Sequence, residues 1–502
     1  MTDLLTNPLW EPAQLGLAIP DSPHAVSVCL PTWADNVGYE EGDARVHQAL
    51  TAGYPRFVYN PLCQKLFAVC RERFAQPGEQ CLVFSSERAA ARCCEFVEQF
   101  SDASARLDAY GIRDLTVVTL PESQAKLAKS YWQHFGEGIS SRAAAWLLSG
   151  SESFDEDAGR DAQRRIRERV ARTITDSSEH AVDSDDVLLY SCGMNAIGAV
   201  HRAITRLLRG RRTVQFGFPY VDSLKIQEKW KSGCHFLPQG HAGDIEQLAA
   251  LMVSEAIGAV YTETPSNPLL NSPDIQKLAE LTRRHNVPLI VDNTIASINN
   301  DLLPWADVLC TSLTKHFSGA GDVTGGSAVV NPRSRFAAEV KSLLRDDWDD
   351  ALWPEDAVAL ERNSRDFESR VLQMNAGAEA VADFLKSSPL IETVYYPKYQ
   401  TPEIYNLTRR SGGGYGSLLS VVFRDREKAI PFFDKLRVCK GPNLGTNFTL
   451  ACPFTILAHY DELDFVESCG VSRYLVRISI GLEDAGDLIQ RFEEALSQVS
   501  CD

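Results

Sequence analysis

The sequence predicts an α/β protein whose large domain is built on a mainly parallel sheet, with a smaller α/β domain towards the C-terminus. Between about Asp186 and Asn331, short apolar runs recur, and segments with helical spacing separate several of them. The five runs are Val187–Tyr190, Val214–Phe216, Ala259–Tyr261, Leu289–Val291 and Asp307–Cys310. Strand and helix in alternation are typical of a parallel sheet with helices on both faces. Ligands bind such sheets at the carboxyl ends of the strands, so functional residues should follow the runs directly.

The rest of the chain differs in regularity, which sets the predicted domain boundaries. From Ala357 to Leu385 the pattern predicts one long helix leading into the second α/β domain. Strands are expected there near Val394–Tyr396, Leu418–Phe423 and Tyr474–Ile480. The first 180 residues are less regular. We therefore assign an N-terminal arm and extension to residues 1–180, the large domain to 181–375 and the C-terminal α/β domain to 376–502.

Composition and charge exclude several classes of function. The 502 residues include 67 acidic and 50 basic ones, and the net charge of −17 would repel nucleic acid and anionic membrane surfaces. No run approaches the roughly 18 apolar residues of a membrane span, and no secretory or transit signal is visible at the start. The 13 cysteines form no CxxC pairs. We therefore expect reduced thiols, no metal site and a cytoplasmic protein.

Two charge runs are interpreted as surface features. Arginines between Arg160 and Arg172 flank an apolar stripe with helical spacing, which indicates an amphipathic helix with a solvated basic face. The acidic run Asp346–Asp350 is likewise expected to be a surface loop.

A carboxylate and a lysine follow neighbouring apolar runs. Asp292 follows Leu289–Val291, and Lys315 comes shortly after Asp307–Cys310. Three interpretations compete for this pair. They are a structural salt bridge, a catalytic lysine base, or a lysine that forms an imine with pyridoxal phosphate while the aspartate keeps the pyridine nitrogen protonated.

Groups at the other strand ends favour the third interpretation. A strand-to-helix junction with a glycine lets backbone N–H groups approach a phosphate at the helix N-terminus, and nearby hydroxyls can donate to the same anion. The candidate phosphate contacts are Gly193, Met194, Ser312 and Thr314. Tyr220 could stack on a flat ring, and the loop amide of Asn267 could bond a phenolic oxygen. Five strand ends thus each offer a group suited to a different part of one cofactor.

The core resembles the cystathionine γ-synthase family of Cys/Met-metabolism pyridoxal-phosphate enzymes. The matching motifs are SCGMNAI (191–197), ETPSNP (263–268), VDNT (291–294), SLTKHFSG (312–319) and VRISIGLE (476–483). The longer fungal form is matched through PHAVSVCLPTW (23–33), GYPRF (53–57), YWQHFGEGISSR (131–142) and GTNFTLACPFTILAHY (445–460). The resemblance covers most of the chain. It implies the aspartate-aminotransferase-like (type I) pyridoxal-phosphate fold, with the cofactor bound by the domain at 181–375.

The resemblance also implies a role for each candidate residue. Lys315 is similar to the Schiff-base lysine and proton shuttle, and Asp292 to the partner of the pyridine nitrogen. Tyr220 resembles the ring-stacking tyrosine, to which the family also gives a part in proton removal, and Asn267 resembles the amide near the phenolic oxygen. Arg477 matches the arginine whose fork grips the substrate α-carboxylate. The phosphate contacts implied are again Gly193, Met194, Ser312 and Thr314.

The sequence departs from the family pattern at three places. The family takes a phosphate-binding arginine from the neighbouring subunit, and both Arg56, in a Tyr-x-Arg, and Arg142, which is better placed, remain candidates. The residue after the lysine is usually tyrosine and is His316 here. Where many relatives carry Glu-Ser, this chain has Phe448 and Thr449. Thr449 stays a candidate substrate contact, but the acidic group that could recognise an amino-acid nucleophile is missing.

The expected reaction is γ-replacement on an activated homoserine, such as its O-acetyl ester, by cysteine or by another thiol, amine or carbon nucleophile. The alternatives are γ- or β-elimination from sulfur amino acids and a catalytically silent homologue; an aminotransferase fits the motifs less well. A nicotinamide-dependent dehydrogenase is disfavoured because no GxGxxG follows the first core strand. The resemblance further implies a homodimer or homotetramer with shared active sites, and a small amino-acid substrate.

Overall fold

The computed structural model describes residues 3–54, 57–102, 105–109, 115–151, 154–175, 181–230 and 232–500. The first part of the chain contains a small α/β unit rather than only an irregular arm. Its three-stranded antiparallel sheet has the order β1-β3-β2. The elements are α1 (Trp33–Glu41), α2 (Ala44–Ala49), α3 (Pro61–Phe74), β1 (Glu79–Phe84), α4 (Glu87–Phe100), β2 (Arg106–Ala109), β3 (Thr116–Pro121), α5 (Ala125–Phe135) and α6 (Ser141–Ser149).

The large domain contains the predicted mainly parallel sheet, with seven strands in the order β4-β10-β9-β8-β7-β5-β6. Only β10 runs against its neighbours; the other pairings are parallel. The strands are β4 (Val187–Tyr190), β5 (Thr213–Phe216), β6 (Cys234–Leu237), β7 (Val260–Glu263), β8 (Leu289–Asp292), β9 (Val308–Ser312) and β10 (Gly326–Val330). All five predicted runs form strands. β6 was missed because it is a half-buried edge strand without an apolar run.

The helices of this domain are α7 (Glu156–Thr175), α8 (Gly193–Leu207), α9 (Val221–Lys229), α10 (Ala242–Ser254), α11 (Ile275–His285), α12 (Ala337–Asp346), α13 (Pro354–Asn363) and α14 (Phe367–Ser387). The single helix expected over 357–385 is therefore two helices. The buried Ser364 follows α13, and its hydroxyl accepts a hydrogen bond from Arg169. A contact between residues this far apart in sequence does not change the helical periodicity, so the break between the two helices could not be predicted from it.

The two predicted domain boundaries can be compared with the positions of helices α7 and α14. α7, assigned to the N-terminal extension, packs its apolar stripe at Ile166 and Val170 into the core of the large domain. Its exposed arginines pair mainly with acids on the same helix, as for Arg164 with Asp161 and Glu168. The boundary between residues 375 and 376 falls inside α14.

The C-terminal domain has a five-stranded sheet with the order β11-β12-β15-β14-β13. Its elements are β11 (Ile391–Tyr395), α15 (Pro397–Gln400), α16 (Pro402–Asn406), β12 (Leu418–Phe423), α17 (Ala429–Lys435), β13 (Cys439–Lys440), β14 (Leu450–Cys452), α18 (Phe454–His459), α19 (Leu463–Ser468), β15 (Val476–Ser479) and α20 (Ala485–Ser500). β11, β12 and β15 correspond to the three predicted strands. The very short β13 and β14 carry too little pattern to predict.

A buried ionic network joins the N-terminal unit to the large domain. Glu137, which is 1% exposed, accepts hydrogen bonds from Arg92 of α4 at 2.9 Å and pairs with Arg202 of α8 at 2.9 Å. Burial acts against ionisation, but Arg202 and Arg92 hold the pKa of Glu137 below its usual value. Asp347 and Asp349 pair with the same arginines. The acidic run expected to be a surface loop is thus partly buried, because it neutralises these cations.

Other chain-wide features bear on the sequence expectations. Among the residues described, no helix combines the length and apolar character needed to span a bilayer. The twelve cysteines within the described ranges are free thiols. In the same ranges, no group of three or more histidine, cysteine or acidic side chains is arranged so that it could hold a metal ion.

Candidate active site

A cavity opens at the carboxyl ends of the parallel strands, against the C-terminal domain. The space within its walls, including solvent at its open mouth, is about 780 Å³. Nine sequence-predicted residues line it: Gly193, Met194, Tyr220, Asn267, Asp292, Ser312, Thr314, Lys315 and Arg477. Eight come from the ends of β4, β5, β7, β8 and β9, and Arg477 comes from β15. The cavity therefore lies between two domains, with a lysine, an aspartate and an arginine in its walls.

One wall of the cavity, at the N-terminus of α8 and the end of β9, lets an anion approach the backbone closely. α8 begins at Gly193, and its N-cap residue Cys192 makes no side-chain capping bond. A Cβ at Gly193 would lie 2.7 Å from the Cβ of Ser312, so only glycine fits between the helix and β9. The hydroxyl of Thr314 exchanges hydrogen bonds with the backbone of Gly325. Helix N–H groups and hydroxyls at this corner are suited to a phosphate.

The floor of the cavity carries two carboxyl groups. Asp292 ends β8, and its Oδ1 accepts a hydrogen bond of 2.9 Å from the backbone N–H of Thr294. Burial raises the pKa of the Asp292 carboxyl, whereas the bonds from Thr294 lower it. Glu263 ends β7 and accepts a 2.7 Å bond from the backbone N–H of Tyr220, which positions the start of α9. Burial and the neighbouring Asp292 raise the pKa of Glu263 well above its usual value. A cationic ring nitrogen beside Asp292 would favour its ionised form.

Arg477 is held rigidly at the opposite side of the cavity. It is 3% exposed, and its Nη2 donates to the carbonyl oxygens of Pro442 at 2.7 Å and Asn443 at 3.4 Å. Its Nη1 donates to Asn267 Oδ1 at 3.2 Å, and its guanidinium carbon lies 4.5 Å from the ring centre of Phe454. A fixed, buried guanidinium in a ligand cavity is suited to a carboxylate, which its fork can bind through two hydrogen bonds.

Lys315 points towards a residue that the sequence did not single out. Its Nζ donates to Asn443 Oδ1 at 2.5 Å. Asn443 and Glu263 both line the cavity but are not among the predicted site residues; Tyr54, the tyrosine of the Tyr-x-Arg at 54–56, lines it too. The signal for Asn443 was the sequence GPNLG at 441–445, whose glycines permit close packing. At Gly445, where φ is +67°, a Cβ would lie 2.6 Å from the backbone N of His316.

His316 secures the backbone beside the lysine. It is buried, and its Nδ1 lies 3.3 Å from the carbonyl oxygen of Thr294, so Nδ1 must carry the proton. Nε2 then accepts from the Ser417 hydroxyl, 2.8 Å away. Burial lowers the pKa of His316 to about 4, which keeps the ring neutral.

Two candidate residues lie outside this cavity. Thr449 is fully buried; its hydroxyl donates to Glu483 Oε2 at 2.8 Å and accepts from the backbone N–H of Gly481. Thr449 does not line the cavity, and the substrate contact expected for it stays a prediction. Arg142 lines an adjoining cavity and bonds to Asp322 and Asp356. It does not line the first cavity of its own chain, and the phosphate contact expected for it stays a prediction. Arg56 lies outside the described residues.

Comparison with known proteins identifies the family to which the chain belongs. A family model described as Cys/Met metabolism PLP-dependent enzyme matches residues 163–497, and one described as Fungal trans-sulfuration enzyme, N-terminal domain, matches residues 62–140. The chain belongs to the Cys/Met-metabolism PLP-dependent enzymes. The predicted family and type I fold are confirmed, and the cofactor of this transferase-type enzyme is pyridoxal 5′-phosphate.

Individual relatives are similar over nearly the whole chain. Cystathionine gamma-synthase of Neurospora crassa is 35% identical, with 97% of this chain and 98% of the relative covered. An L-2-amino-4-chloropent-4-enoate dechlorinase/desaturase of Streptantibioticus cattleyicolor is 30% identical over 95% of this chain and 97% of its own. The solved cystathionine gamma synthase of Xanthomonas oryzae pv. oryzae, in complex with aminoacrylate and cysteine, has a TM-score of 0.58 at 24% identity. The match covers 68% of this chain and 86% of that one.

The residues of the cavity fit this cofactor. The contact between Gly193 and Ser312 leaves no room for a Cβ at the corner suited to a phosphate. Lys315 would supply the amine for the linkage to the protein, and Asp292 would supply a buried carboxyl for the ring nitrogen. The Nδ2 of Asn443 is buried without a hydrogen-bond partner among the described residues, as expected where a ligand oxygen belongs.

Proposed function

We propose that this enzyme catalyses γ-replacement on an activated homoserine, such as the O-acetyl ester, joining a nucleophile to the γ-carbon. The observation that carries the proposal is the placement of Lys315 and Arg477 in one cavity between two domains. The arginine would hold the α-carboxylate of an amino acid, and the lysine amine would move protons at its α- and β-carbons. Pyridoxal phosphate, when bound, supplies the electron sink that makes these protons removable.

The remaining residues of the cavity would orient the cofactor in this proposal. Asp292 would hold the ring nitrogen in its protonated form, and Tyr220 would stack on the ring. Asn267, which already accepts a bond from Arg477, would contact the phenolic oxygen. Gly193, Met194, Ser312 and Thr314 would bind the phosphate. Support comes from their shared cavity and from the motifs they occupy.

The nucleophile is the part of the proposal that most needs a direct experiment. The side chain of Phe448 carries no charge, and the neighbouring Thr449 is committed to Glu483. O-acetylhomoserine should therefore be incubated with cysteine, simple thiols, amines and carbon acids, and the products identified by mass. A product that contains the nucleophile supports replacement.

Two outcomes of this experiment would overturn the proposal. Release of 2-oxobutyrate and ammonia at the same rate with and without nucleophiles would favour an elimination lyase, and the dechlorinase/desaturase relative gives that outcome some weight. A protein that takes up no cofactor, or reacts with no amino acid, would favour a silent homologue. The Lys315→Ala variant is the control for both.

We also propose a homodimer or homotetramer in which Arg142 reaches the phosphate of the neighbouring subunit. Its position on α6 of the N-terminal extension, outside its own cofactor cavity, supports such a role. If the sites are shared, mixing inactive Arg142→Ala and Lys315→Ala proteins would restore part of the activity. No recovery after subunit exchange would count against Arg142. A cytoplasmic location, supported by the free thiols, completes the proposal.

A further inference from the structure

Asn443 is locked into the cavity wall by its own loop. The residue is 2% exposed and lies between β13 and β14. A Cβ at Gly441 would lie 2.6 Å from Ser27 Oγ, and one at Gly445 would lie 3.0 Å from the carbonyl carbon of Lys315. The loop is therefore wedged between the N-terminal segment and the backbone of the lysine. The amide of Asn443 has a fixed position relative to Lys315.

The oxygen end of this amide faces the lysine. Lys315 Nζ lies 2.5 Å from Oδ1, a hydrogen bond in which the amine donates and the carbonyl oxygen accepts. The opposite orientation of the amide would bring N–H groups against an ammonium ion, which has no acceptor. The contact therefore fixes both the position of the amine and the direction in which the Asn443 N–H groups point.

The nitrogen end of the amide has no partner within the described part of the chain. Nδ2 is buried, and an unmade hydrogen bond at a buried donor is unfavourable. The backbone carbonyl of the same residue accepts from Arg477 Nη2 at 3.4 Å. The residue that carries the unsatisfied donor thus contacts, through its backbone, the guanidinium proposed to receive a substrate carboxylate.

We propose that Asn443 is a two-ended positioning residue. Its Oδ1 holds the Lys315 amine whenever that amine is released from the cofactor, and its Nδ2 donates to an oxygen of the bound amino acid. Binding of the amino acid would thereby fix the direction of the amide and, through it, the place of the lysine. This inference rests on the proposed function, because it requires an amino-acid ligand.

The test uses the cofactor-loaded enzyme and an amino acid that binds without turnover. L-norvaline has a γ-carbon but no leaving group, and L-norvalinamide lacks the carboxylate. In Asn443→Asp the carboxylate keeps an acceptor for Lys315 but loses the donor and repels a carboxylate. We expect its Kd for L-norvaline, measured by calorimetry, to rise about ten- to a hundredfold, and its Kd for L-norvalinamide to change by less than about threefold. An equal rise in Kd for both ligands would refute the contact between Asn443 Nδ2 and the substrate.

The lysine end has a separate readout, the pH titration of cofactor absorbance without any amino acid. The new negative charge of Asn443→Asp beside the lysine linkage should move the midpoint upward by about one unit or more. Asn443→Leu, which has neither donor nor acceptor, should bind L-norvaline about tenfold more weakly without this upward movement. The exposed Asn406→Asp is the matched control and should leave both measurements unchanged.

The outcomes separate this inference from the proposed function. If the titration midpoint of Asn443→Asp does not move, the contact between Asn443 Oδ1 and Lys315 is refuted, whatever the substrate is. If the wild-type enzyme bound no amino acid at all, both the proposed function and the contact between Asn443 Nδ2 and the substrate would be refuted. The titration would still test the contact between Asn443 Oδ1 and Lys315. If Asn443→Leu does not fold, as judged by circular dichroism, Asn443→Asp alone decides both.

Discussion

Thr449 allows a direct test of structure against sequence pattern, because the motif suggests a substrate contact and the structure shows a structural bond. Thr449→Val keeps the shape of the side chain and removes its hydroxyl. Two hydrogen bonds are lost, one of 2.8 Å to Glu483 Oε2 and one of 3.0 Å from the backbone N–H of Gly481. Both partners are buried, so leaving them unpaired should cost about 2–5 kcal/mol of unfolding free energy.

The assay compares urea unfolding and L-norvaline binding in the same preparations. We expect Thr449→Val to unfold at lower urea concentration while its Kd for L-norvaline stays within about twofold of the wild-type value. Thr449→Ser, which keeps the hydroxyl, should lose much less stability than Thr449→Val. A tenfold weaker Kd in Thr449→Val with an unchanged unfolding midpoint would refute the reasoning and restore Thr449 as a substrate contact.

Three further predictions concern the arginine, the phosphate corner and pH. Arg477→Lys should raise the Kd for L-norvaline about ten- to a hundredfold in calorimetry, because a lysine cannot reproduce the fork; an unchanged Kd would contradict the assignment. Gly193→Ala, whose Cβ would clash with Ser312, should lose cofactor absorbance on dialysis while keeping its circular dichroism; full retention would contradict a tight corner. Burial lowers the pKa of His201 from 6.5 to about 4, so its contribution to stability is present above pH 6.5 and lost as pH falls towards 4. Between pH 7 and 5 that loss is about 2 kcal/mol, and His201→Leu should reduce the pH dependence of urea unfolding by this amount; an unchanged dependence would refute it.

The sheet and the cofactor wall could be predicted because their signals are local. Except for the edge strand β6, each parallel strand is a short apolar run, and the residue that follows it lies at the same edge of the sheet as its counterparts. This rule predicts that Gly193, Tyr220, Asn267, Asp292 and Lys315 lie close together, and all five line one cavity. Arg477 came only from the motif, since a strand-end arginine has no local signature of function.

The rest of the site depends on contacts that local pattern does not encode. Asn443 sits in an irregular loop between two short strands and reaches Lys315 across 128 positions of sequence. Thr449 fitted a motif position, yet its burial and its bond to Glu483 depend on packing between distant segments. The acidic run 346–350 looked solvated because its partners, Arg92 and Arg202, lie more than 140 residues away. Long-range pairing of this kind needs coordinates or homologues.

Through the Glu137 network, the N-terminal unit stabilises the position of a helix that forms part of the cofactor site. Arg202 belongs to the same helix, α8, whose first residue Gly193 forms the phosphate corner. Removing the N-terminal unit would take away Glu137 and leave a buried arginine to be neutralised by Asp347 alone. Removing one partner from a buried ion-pair network destabilises a protein by several kcal/mol, so α8 would be held less firmly. Shortened versions of this enzyme would therefore need changes in α8 itself before they could hold the cofactor.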